Sequence, residues 1–263
     1  MTTWIKAATL LVVAGLTACS ASPTGRNQLL LFSDQDMNQL GATSFEQMKK
    51  EQPISKDAKT NAYVQCVSNS ITQYIPKQKG FNNWEVVVFD SDQVNAFALP
   101  GGKIGVYTGL LKVAVNQDQL ATVIGHEIAH VLADHSNERL SQSQLANTGL
   151  QLTNIAVGAS QYSQYQGVTM AALGLGVQYG VILPYGRTQE SEADIVGLEY
   201  MAKAGFNPNQ SVDLWQNMAK ASGGSAPPEL LSTHPSHNTR IKDLQATIKT
   251  LPNYGTTRPQ CKA

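Results

Sequence analysis

The sequence predicts an α+β fold, mainly helical, with one small β-sheet or hairpin and a helix carrying a His-Glu-x-x-His motif. Three observations support this. Residues rich in β-formers fall between about 84 and 107, apolar residues recur at helical spacing on both sides of that segment, and no internal repeat is visible. Strands confined to one stretch argue against an alternating strand–helix series.

Each element has its own signal. Residues 1 to 19 carry Lys6, an apolar run from Ala7 to Leu16 and then small residues, the order of a signal peptide and too short for a stable bilayer span. Leu16-Thr17-Ala18-Cys19 resembles the bacterial lipobox, which implies lipid on Cys19, a tether over 19–33 and anchoring at the outer membrane. A single domain over 34–251 and a tail over 252–263 are expected to follow. Helical spacing covers Asp34 to Glu51 and Asp57 to Ile75, with Asp57 as an N-cap. Trp84 to Phe89 reads as a strand, and Val94 to Leu99, Pro100-Gly101-Gly102 and Lys103 to Tyr107 as a hairpin. Gln117 to Asp134 is a strongly periodic helix. Between Leu140 and Gly186 there are 47 residues without an Asp, Glu, Lys, Arg or His. That stretch reads as two packed helices separated around Ser160 to Gly167, or alternatively as a mobile cover or an interaction surface. Helices follow at about Gln189 to Ala204, Asn209 to Ala221 and Ser236 to Thr250.

Composition narrows the function. Nineteen basic against nineteen acidic residues give a formally neutral chain, which excludes nucleic-acid binding through a basic surface. The 42% hydrophobic content excludes intrinsic disorder and suffices for a sizeable core. Three cysteines are an odd number for an exported protein. With Cys19 assigned to lipid, Cys66 and Cys261 remain as a disulfide pair or as two free thiols, and an oxidising compartment favours the disulfide.

The chemistry concentrates in two short blocks. His126-Glu127-Ile128-Ala129-His130 places two imidazoles four residues apart on one helix face, where both can reach one zinc ion with Glu127 beside it as general base. Given the five His and nine Glu of this chain, shuffling would produce the motif only about 0.003 times. A catalytic zinc takes three protein ligands and leaves a position open. His135 does not stand at the metzincin position, and it suits a helix C-terminus better. Glu190-Ser191-Glu192-Ala193-Asp194 supplies the better third ligand. Glu190 and Asp194 share a helix face, so Glu190 can bind the metal while Asp194 accepts the free N–H of His126, and Glu192 points away. The strand Asn95, Ala96, Phe97 and Ala98 offers an edge to which a substrate peptide can add. His234 can donate to an oxyanion, fill the open zinc position at rest, or be purely structural; Arg240 can support the same pocket or pair with an acid of the ligand helix.

HEIAH, ESEAD, the upstream NAFALPGGKIGVYTGLL and the downstream HPSHNTRI together resemble the gluzincin metallopeptidases of family forty-eight, over roughly residues 60 to 250. The resemblance implies a zincin-type fold, one Zn2+ per chain held by His126, His130 and Glu190, and endopeptidase activity. Among its members the chain is most similar to the small outer-membrane lipoproteins. That implies a periplasm-facing enzyme of protein quality control, acting on unfolded or misassembled envelope polypeptides. A chaperone or assembly factor with a silenced or structural zinc site is the alternative.

Overall fold

The computed structural model describes residues 19–77, 80–81, 83–159, 183–221, 234 and 239–262. Residues 1–18 and 160–182, and with them the signal segment and about half of the charge-free stretch, lie outside the described residues, as does His237. Contacts divide the chain into two units, one of Met1–Ser33 with Asp134–Thr188 and one of Asp34–Ala133 with Gln189–Ala263.

The first unit contains β1 (Cys19–Ala21) and β2 (Asn27–Leu29), which pair antiparallel, and the helix α4 (His135–Gly158). The expected tether is therefore a hairpin. Gly25, at φ +84°, lets its N–H donate to Ser22 C=O while Ser22 N–H donates to Arg26 C=O, so the Pro-Thr-Gly segment closes a turn. Arg26 then forks onto the buried Glu138 at 2.6 and 2.7 Å, tying the hairpin to α4.

The second unit is built around a three-stranded sheet in the order β3-β5-β4, comprising β3 (Glu85–Phe89), β4 (Ala96–Leu99) and β5 (Lys103–Tyr107). Gly101 and Gly102, both at positive φ, make the tight turn of the β4–β5 hairpin. β3 lies parallel to β5 with Glu85 opposite Lys103, a pairing that no local pattern in the sequence specifies. Side chains alternate across the sheet as its period of two requires. Ala96 and Ala98 enter the main core, whereas Phe97 joins Phe45, Phe89 and Tyr107 in an aromatic cluster beneath α1 (Asp34–Glu51).

On the main-core side lie α2 (Ala58–Thr72), capped by Asp57 through the N–H groups of Lys59 and Thr60, and α3 (Gln117–Leu132), capped by Asn116 through those of Asp118 and Gln119. A short 3₁₀ turn over Thr108–Lys112 leads into α3. α3 is buried around almost its whole circumference, because β4, α2 and α6 (Gln210–Ala221) surround it. α5 (Leu183–Lys203) begins six residues before the expected start, and α7 (Arg240–Thr250) completes the helices among the described residues.

The C-terminal tail is strapped to the start of α3. Gln117 Nε2 donates to Pro259 C=O at 2.8 Å and Gln117 Oε1 accepts from Cys261 N–H at 2.8 Å. Arg258 pairs with the buried Asp118, whose other oxygen accepts from Asn207 N–H at 2.9 Å. Cys66 on α2 and Cys261 form a disulfide with Cα atoms 5.7 Å apart, across a sequence separation of 195 residues. Closing so long a loop restricts the unfolded chain. Replacing both cysteines by serine is expected to lower stability by about 2–4 kcal/mol. Thermal unfolding should show this as a fall of roughly 5–15 °C in Tm, absent when wild type and variant are compared under full reduction.

Candidate metal centre

Two helices that touch backbone to backbone form the floor of the site. A Cβ on Gly125 would lie 2.9 Å from Gly197 C=O, and one on Gly197 would lie 2.8 Å from His126 N, so α3 and α5 cross at a separation that only glycine allows. The signal for this contact in the sequence is a glycine immediately before the first motif histidine and another three residues after Asp194.

The crossing brings the predicted side chains together. His126 Nε2 lies 3.1 Å from His130 Nε2 and 3.3 Å from Glu190 Oε2, and His130 Nε2 lies 3.4 Å from Glu190 Oε1. His234 Nδ1 joins them at 3.0 Å from Glu190 Oε1 and 3.3 Å from His126 Nε2. One donor atom from each of these four residues falls within 4.8 Å of the other three. Asp194 Oδ1 is 3.0 Å from His126 Nδ1, on the ring edge that faces away from the donor group. His135 is not part of this group. Glu192 is outside the donor group, as expected, and is buried inside α5.

Arg240 closes the back of the site. It is 2% exposed; Nη2 donates to Asp194 Oδ1 at 2.7 Å and Nη1 to Glu190 Oε2 at 3.4 Å. The ring of Trp215 on α6 lies 3.6 Å from its Cζ.

Electrostatics follow from burial and pairing. Burial pushes the Glu127 carboxyl above its ordinary range, opposed by His234 and His126 and by the Ala98 N–H of β4. Glu190 is held well below the usual carboxylate range, since hydrogen bonds from His126, His130 and His234 outweigh its burial. His126 is lifted to about 9: burial opposes its protonation, but Asp194 and Glu190 prevail. Burial pushes His130 well below its ordinary value. Asp194 is lowered because Arg240 and His126 overcome its burial.

The donor set fits a zinc ion. Two imidazoles and a carboxylate are the ligands expected of a catalytic zinc. With neutral imidazoles, the carboxylates Glu127, Glu190 and Asp194 against the single guanidinium leave two negative charges, which one divalent cation balances. Glu127 Oε1 is buried without a hydrogen-bond partner among the described residues, beside the donors and 3.4 Å from His234 Nε2, where a water proton would find an acceptor.

An HExxH helix met by a downstream glutamate from a second helix defines the class: a gluzincin-type metallopeptidase site. Residues 55–248 match the sequence pattern of Peptidase family M48, and the chain belongs to that family. It is 34% identical over 254 residues to "Metalloendopeptidase OMA1, mitochondrial" of Bos taurus, covering 91% of this chain and 48% of that protein. Identity to "Mitochondrial metalloendopeptidase OMA1" of Saccharomyces cerevisiae is 35% over 169 residues, 61% of this chain and 46% of the yeast protein. The "Beta-barrel assembly-enhancing protease" of Yersinia pestis is 28% identical over 217 residues, 81% of this chain and 43% of its own length. The chain thus spans about half the length of these relatives. The expected location is corrected by these matches. Relatives at 34 and 35% identity carry mitochondrial names, and the bacterial protease is more distant, so the lipid-anchored outer-membrane placement is withdrawn. Among the described residues no helix is long and apolar enough to cross a membrane.

Gly197→Ala is expected to force α3 and α5 apart. The purified variant should lose most of its bound zinc and unfold at lower temperature, whereas Gly149→Ala, where a Cβ meets nothing within 4 Å, should match the wild type in both.

Proposed function

We propose that this chain is a zinc-dependent endopeptidase that hydrolyses peptide bonds in extended segments of unfolded or misassembled polypeptides. The observation that carries the reading is the convergence of His126, His130, Glu190 and His234 on one point, with Glu127 3.4 Å from His234 and hydrogen-bonded to Ala98 of β4. His126, His130 and Glu190 would hold a zinc ion, with Asp194 orienting His126. When bound, zinc acidifies a water molecule and polarises the scissile carbonyl. Glu127 accepts the proton of that water, a role suited by a carboxyl that burial has raised. His234 stands where a fourth donor would stand, which supports its reading as a resting-state donor over that of an oxyanion donor.

Register explains the preference for extended substrates. Tyr107 N–H donates to Asn95 C=O, so the alternation of an antiparallel ladder turns Phe97 toward β5 and leaves the backbone groups of Ala96 and Ala98 on the outer edge. Asn95 Oδ1 accepts from Ala96 N–H at 2.9 Å, and an incoming strand takes over that bond. Recognition through backbone groups requires a chain whose own N–H and C=O groups are unpaired, a condition met by unfolded or misassembled polypeptides and not by folded domains.

Glu127→Gln is expected to retain zinc while cleavage of an unfolded protein falls by about 10²–10⁴-fold. Wild-type cleavage in that variant would refute the mechanism. Metal analysis should find zinc lost from Glu190→Gln and largely kept by Glu192→Gln. Peptides N-methylated next to the scissile bond should show KM raised by roughly 2–10-fold for each lost backbone hydrogen bond. If the protein binds zinc and suppresses aggregation, yet neither it nor His234→Ala cleaves any polypeptide, it acts as a chaperone with a silenced site.

A further inference from the structure

Arg240 reaches across the back of the metal centre to two carboxylates on one helix, Glu190 and Asp194 on α5, and its Nη2 also lies 3.4 Å from His126 Nδ1. Its orientation decides how far apart those carboxylates stand. Its Nε has no hydrogen-bond partner among the described residues, so the hydrogen bonds of the group all leave from Nη1 and Nη2 on one side of it. An aromatic ring lies against the group as well. The Arg240 Cζ lies 3.6 Å from the centroid of the Trp215 ring, a stacking distance at which an aromatic face attracts a desolvated cation. Trp215 is 7% exposed, and its indole Nε1 has no hydrogen-bond partner among the described residues, so it meets Arg240 through its face.

We propose that Trp215 is a positioning residue of the metal centre: its indole face sets the plane of the Arg240 guanidinium, which holds Glu190 in place to ligate zinc and Asp194 in place to orient His126. This rests on the zinc reading above. The chain of contact runs from α6 through the first residue of α7 to α5 and then to α3, so a residue that touches no ligand atom governs the geometry of the ligands.

The test measures zinc affinity by competition with a chromophoric chelator, at a temperature well below the Tm of every protein compared. The set comprises the wild type, Trp215→Leu, Trp215→Phe and Met218→Ala, the last being a buried residue of the same helix. Trp215→Leu should bind zinc at least about tenfold more weakly, the size of effect known for groups that orient metal ligands. Trp215→Phe, which keeps an aromatic face, should stay within about threefold of the wild type, and Met218→Ala should lower Tm with its zinc affinity unchanged. Trp215→Met provides a second variant without a ring should Trp215→Leu not fold. Wild-type affinity in the ringless variants overturns the proposal, as does equal weakening in Trp215→Phe, or equal weakening in Met218→Ala, which would assign the effect to packing. A wild type that binds no zinc overturns the underlying reading and the proposal with it.

Discussion

The close crossing of α3 and α5 is the constraint on which the site depends. Each helix carries part of the site, and neither part is complete: α3 brings the imidazoles of His126 and His130 and the carboxyl of Glu127, α5 the carboxylates of Glu190 and Asp194. Side-chain lengths are fixed, so the two sets meet at one point only if the backbones approach within contact at Gly125 and Gly197. A larger residue at either position would move the donors apart by more than a metal–ligand bond tolerates. The core around α3 serves the same end. A helix surrounded by β4, α2 and α6 cannot shift along its axis without breaking close packing on every side.

Placing this much charge in a buried site carries a large desolvation cost, which the arrangement offsets by mutual pairing. Glu190 is contacted by three imidazoles and a guanidinium, and Asp194 by one of each. Glu127 alone has little compensation, and it is the group whose protonation burial shifts upward. The carboxylates are therefore differentiated by environment: pairing holds Glu190 and Asp194 as anions, whereas burial raises Glu127.

The sequence made much of this legible because its strongest signals are local. The helix at Asp34–Glu51, the Asp57 cap and the HExxH helix each follow from residues a few positions apart, and the structure has them where periodicity puts them, to within a few residues at the ends. What could not be read is set by partners distant in the chain. The parallel pairing of β3 with β5 depends on which strands the core brings together, and the stack of Trp215 on Arg240 depends on how α6 and α7 meet. The early start of α5 lies in the charge-free stretch, where charged residues that would mark a helix start are missing. The segment after Cys19 was misread as a tether because Pro and Gly mark turns and linkers alike. Cellular location failed for another reason: it rested on a lipobox-like leading segment and on likeness to lipoprotein members of a family whose members at higher identity carry mitochondrial names.

The disulfide has a consequence for the integrity of the molecule. The catalytic unit is discontinuous: His126 and His130 come from the stretch before residue 134, Glu190 and His234 from the stretch after 188. Cys66 belongs to the first stretch and Cys261 to the second. A backbone break anywhere between 134 and 188 therefore leaves both halves of the donor set in one covalent molecule, a two-chain form that separates only when it is reduced.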